Sequence, residues 1–89
     1  MQIEYTIHVW KEGGQFVAHA MPLDVMSSGE TPEGARSALN EAVRLFLITA
    51  KDQGTLDEVL RESGYELREG EWLSPAWVAL ERQSTAVPA

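Results

Sequence analysis

Residues 2–11 alternate in polarity. Ile3, Tyr5, Ile7 and Val9 fall on one side, and Glu4, Thr6, His8 and Trp10 on the other. A period of two, rich in β-branched and aromatic residues, predicts a strand. Gly13-Gly14 follows, a pair that tolerates the positive φ of a tight hairpin turn. Residues 15–20 alternate again, with Phe16, Ala18 and Ala20 on one face. A two-residue loop then pairs Val9 with Ala18 and Ile7 with Ala20, and both apolar sets share one side. A slip of one residue would destroy that agreement, so the register is specified. Pro22 has no N–H to give a ladder. Leu23 to Ser28 reads as a shorter third strand, ended by Ser28-Gly29.

From Thr31 the period changes. Thr31 is a capping residue, Pro32 suits the first helical position, and Glu33 complements the positive end of the helix dipole. Gly34 is a poor helix former so early. Ala35, Ala38, Leu39, Ala42, Val43, Phe46 and Ala50 then recur at helical spacing. Leu45, Leu47 and Ile48 widen the apolar side, which implies cover from more than one direction over the last turns. Gly54 is the stop signal. Thr55 and Glu58 have the spacing of a capping box, opening a short helix from Leu56 to about Ser63. Glu69-Gly70 reads as a turn, and Trp77 to Arg82 as a returning strand. The last residues, 83–89, are expected to fray.

The pattern therefore predicts one α+β domain over residues 1–89. Its core is 2–54, in the order β-β-β-α, and its extension is 55–89, a short helix and a C-terminal strand or hairpin. The length of 89 residues agrees with a single domain and implies a thin core. There are no cysteines, which excludes a disulfide scaffold, a thiol nucleophile and a thiolate zinc site. Seven basic against fourteen acidic residues give a formal charge of −7. Such a chain repels phosphate backbones, so no direct nucleic-acid binding is expected; a basic partner suits it better. The first residues lack the basic and apolar regions of a signal peptide, and no apolar run approaches a membrane span. A cytoplasmic location is the expectation.

Phe16-Val17-Ala18, Pro22, Leu23, Ser28-Gly29, Thr31, Ala35, Glu41-Ala42 and Phe46-Leu47 together resemble the N-terminal module of HicB-type antitoxins. The resemblance covers about residues 3 to 50. The stop at Gly64-Tyr65 is similar to variants with a longer C-terminal part. Asp24-Val25-Met26 replaces the usual Pro-Gly-Cys stretch, and Gly34 and Ala38 stand where Glu and Asn are common. The resemblance implies a partial ribonuclease-H-like antiparallel sheet packed on one long helix. It implies binding and inhibition of a small basic, HicA-like toxin that cleaves mRNA, with no catalysis by this chain and no cofactor. The alternative is a solitary, homo-oligomeric HicB-like scaffold or regulatory module with no toxin.

His8 and His19 fall opposite one another in the Gly13-Gly14 register, on the face away from the apolar set. Adjacent imidazoles are donors a transition metal takes, but a zinc site wants a third ligand. No metal site is expected. Trp10 and Val17 share that face, so His8, Trp10, Val17 and His19 form a partly apolar strip with no cover from the long helix. Such a strip marks a contact with a second copy or a partner. The rival is a lid made by Trp72 or Trp77 of the same chain. Glu58, Glu62 and Glu66 are acidic candidates for steering a basic partner. Glu4, Asp24 and Glu41 lie on different elements, which gives no reason for the convergent carboxylates of a two-metal nuclease.

Overall fold

The computed structural model describes residues 1–89. Its elements are β1 (Thr6–Glu12), β2 (Gln15–Met21), β3 (Val25–Gly29), α1 (Pro32–Asp52), α2 (Leu56–Glu62), β4 (Glu66–Arg68) and β5 (Glu71–Leu73). β1, β2 and β3 form an antiparallel sheet in that order, and β4 and β5 form a separate hairpin. This is the expected α+β order.

The β1–β2 register is the one the apolar pattern requires: Ile7 pairs with Ala20 and Val9 with Ala18. α1 lies across that face, packed mainly on β2 and β3. Ala18, Ala20, Ala35, Leu39 and Val43 are buried between them. No polar or charged residue is buried. Both strand starts differ from the sequence reading. β1 begins at Thr6 rather than residue 2, because β2 ends at Met21, the partner of Thr6. β3 begins at Val25 rather than Leu23. The Asp24 N–H donates to the Ala20 carbonyl at 2.8 Å, which folds residues 20–24 into a turn and leaves Leu23 in the core.

Thr31 caps α1 as its position predicts, accepting from the Gly34 N–H at 2.9 Å. Gly34 is part of that cap rather than a defect. A Cβ there would stand 3.1 Å from the Thr31 hydroxyl. Gly29 has a stricter role, since a Cβ on it would lie 2.6 Å from the Ala35 nitrogen. The end of β3 and the first turn of α1 therefore meet backbone to backbone.

α1 ends in a Schellman motif. Gly54 takes a φ of 74°, and its N–H donates to the Lys51 carbonyl. The Thr55 N–H reaches the Ala50 carbonyl at 2.8 Å. α2 ends in the same way, at Gly64 and Tyr65. The expected capping box does not form. Thr55 is committed to the end of α1, and its hydroxyl donates to the Ala50 carbonyl instead of facing the amides of α2.

Leu56, Leu60, Tyr65 and Trp72 extend the core beyond the sheet. The Glu69-Gly70 turn is observed, both residues having positive φ (50° and 81°), as in a type I′ hairpin. The returning strand expected at Trp77–Arg82 is absent. Residues 74–89 contain no helix or strand and make no backbone–backbone hydrogen bond. A strand needs a neighbouring backbone, and this segment meets none.

Residues 1–5 are held to the body by two tyrosines. Tyr5 donates to Asn40 Oδ1 at 2.7 Å, and the Tyr65 hydroxyl donates to the Glu4 carbonyl. Burial pushes the Tyr65 phenol up to about 12, with Tyr5 and Glu4 adding to the shift. The neutral phenol is thus favoured in the folded state. Its stabilisation is complete below about pH 10, the unfolded value, and is lost as pH rises towards about 12. Tyr65→Phe should weaken the fold by about 1 kcal/mol at neutral pH, the net worth of one hydrogen bond. Melting curves between pH 8 and 12 should show the wild-type advantage vanishing above pH 10. Parallel pH profiles for the two proteins would refute the assignment.

Candidate functional site: the open face of the sheet

His8, Trp10, Val17 and His19 share the face of β1 and β2 opposite α1, as the alternation requires. His8 pairs directly with His19, and Trp10 with Val17. The imidazole centroids are 6.3 Å apart, with the rings tilted by 31°. The indole of Trp10 meets His19 edge to face, at 6.4 Å. Trp10 nevertheless keeps 37% of its surface in water.

Two further residues belong to this surface. Met26 of β3 pairs with His19 and is 53% exposed, so the apolar strip crosses all three strands. Its signal was the register of the third strand, which the short Leu23–Ser28 stretch could not fix. Asp24 is the other. It stands at a φ of 61° in the turn before β3, a conformation that aspartate tolerates better than most residues. From there its carboxylate meets His19 Nε2 at 2.7 Å. Asp24 thus fixes the His19 ring beside Trp10. Nothing in the local sequence marks a left-handed residue at this position.

Neither proposed lid stacks on the rings of the strip. Trp72 is buried at the other end of the core, with the Arg61 guanidinium 5.2 Å from its ring centre. Trp77 belongs to the segment without secondary structure and is itself exposed. The sheet carries its helix on one face only.

No group of three or more His, Cys, Asp or Glu side chains is placed to hold a metal ion. His8 and His19 stand together without a third ligand. Glu41 is turned towards Arg44, at 3.7 Å, and Asp24 towards His19. Among the acidic candidates, Glu58 and Glu62 lie one turn apart on α2, both exposed. Glu66 is held by its own Arg68 at 2.8 Å, so its charge is partly neutralised. The acidic pair and the aromatic strip are therefore on different elements.

On the opposite side of the sheet, α1 and the N-terminal segment enclose a shallow groove of about 340 Å³. Ile3, Tyr5, Val43 and Leu47 line it, with Arg44 and Lys51 also at the groove. No helix is long and apolar enough to cross a membrane.

Neither a family model, nor a curated protein, nor a solved structure matches this chain.

Proposed function

We propose that the chain is an antitoxin-type binding protein whose open sheet face occludes a small basic, mRNA-cleaving toxin. The observation that carries this reading is the strip itself. Trp10 stands at its centre, braced by His19, with Val17 and Met26 beside it, and both Trp10 and Met26 remain exposed. A large aromatic side chain on a rigid sheet is the kind of anchor that dominates a protein interface. The charge of −7 favours a basic partner through long-range steering. The β-β-β-α order agrees with what the HicB resemblance implies. The chain acts by covering its partner's surface, and no chemistry is assigned to it.

Co-expression with the small basic protein encoded beside its gene tests the reading. The expected result is a purified complex and relief of the mRNA cleavage caused by that protein alone. Trp10→Glu should weaken binding by at least tenfold while leaving the far-ultraviolet spectrum unchanged. Absence of a complex, or of a basic neighbour, would overturn the reading in favour of the solitary scaffold. Undiminished binding by Trp10→Glu would remove the strip from the interface.

A further inference from the structure

We propose that residues 77–82 form a strand on the free edge of β3 in a second copy of the chain, so that two copies exchange their C-terminal segments. The proposal is independent of any toxin. It rests on two surfaces that are incomplete in the single chain and fit one another.

The first surface is the segment. Trp77-Val78-Ala79-Leu80 is an unbroken apolar run, the pattern of a strand buried on both faces. In its own chain it is buried on neither. Val78 is 97% exposed, and its backbone is unpaired. A compact chain of this length has a radius of gyration of roughly 12 Å. The observed value is 15.5 Å, with a long dimension of 49 Å. Residues 76–89 are exposed and lie outside every helix and strand, which accords with this extended shape.

The second surface is the outer edge of β3. The sheet order leaves β3 with β2 as its one neighbour. Free edges are usually guarded by charge, proline or a bulge. The β1 edge carries Lys11 and Glu12, whereas β3, Val-Met-Ser-Ser-Gly, has no charge and no proline.

Apolar surface also stands above and below the β3 edge. Around α1, at about 100° per residue, Val43 and Leu47 face the N-terminal segment beside β1. Ala38, Ala42 and Leu45 lie on the other flank, towards and beyond β3. Leu45 is 52% exposed there. Leu45 is one of the residues that widen the apolar side of α1. On the opposite face of the sheet, Met26 is open. A strand added at this edge would place one alternate set of its side chains under the helix flank and the other beside Met26. Trp77 with Ala79, and Val78 with Leu80, supply an apolar set for each face. Reciprocal exchange repeats the same contact twice and closes as a two-fold dimer.

Light scattering and amide hydrogen exchange on the full chain, with no partner present, test the proposal. The expected result is a dimer at tens of micromolar, with slowed exchange in both 77–82 and 25–29. The double variant Val78→Asp, Leu80→Asp should weaken dimerisation at least tenfold and return fast exchange to both segments. The core should survive, because neither side chain touches it. Leu45→Asp, on the acceptor side, should act in the same direction. Three outcomes would overturn the proposal: a monomer at all concentrations, a dimer in which 77–82 exchange freely, or a protected segment in a monomer. The last would show the segment docking within its own chain.

Discussion

Leu39→Ala is expected to remove about 3 kcal/mol of folding stability, within the range for deleting a fully buried leucine. Leu39 has no exposed surface and stands at the centre of the contact between α1 and the sheet. Four of the eleven buried core residues are alanine, at positions 18, 20, 35 and 50. Alanine has no rotamer to swing into a cavity. A domain of this size has a total stability of roughly 5–15 kcal/mol. One substitution would thus consume a large part of it and lower the melting temperature by about 12–24 °C. Urea titration followed by circular dichroism is the measurement. A loss below about 1 kcal/mol would mean that the α1–sheet contact is not the main core.

The second large effect is expected at Gly29. An added Cβ would meet the Ala35 nitrogen at 2.6 Å and the Gly34 carbonyl carbon at 2.7 Å, both backbone atoms. A flexible side chain could turn aside, but the first turn of a capped helix cannot. β3 and α1 must separate, which opens the contact that buries Ala35. Gly29→Ala should cost about 2–3 kcal/mol, the upper part of the roughly 1–3 kcal/mol range for overpacking. Gly14→Ala is the control. It has open space around its Cβ and no positive φ, so its effect should stay within about 0.5 kcal/mol. Equal stability for the two alanine variants would refute the close approach.

Most of the sheet and both helices were legible in the sequence, for identifiable reasons. The Gly13-Gly14 turn and two alternating runs admit one register, and that register places His8, Trp10, Val17 and His19 together. Thr31-Pro32 marks the start of α1 because capping is a local interaction. The misreadings share a different cause. Thr55 has the spacing of a capping residue, but two helices compete for it and the end of α1 takes it. Asp24 reaches His19 only because its backbone turns left-handed, which its neighbours in the sequence do not announce. Trp77–Leu80 has the composition of a strand, yet strand formation depends on a partner backbone that this chain does not place beside it. Local chemistry was readable, whereas competition for a shared residue and the supply of a partner edge were not.

The clasp between Tyr65 and Glu4 joins positions 61 residues apart. During synthesis, the N-terminal segment can have no such tether until residue 65 has left the ribosome. The β1–β2 hairpin and α1 contain their own contacts and are free to assemble earlier. Tyr5 can reach Asn40 once α1 has formed, whereas Glu4 must wait for the far end of α2. A chain that stops before Tyr65 would keep the sheet, the long helix and the Tyr5–Asn40 bond but would lack the second tie at Glu4. The second tie on the N-terminal segment is thereby open only to a chain that has been extended past α2.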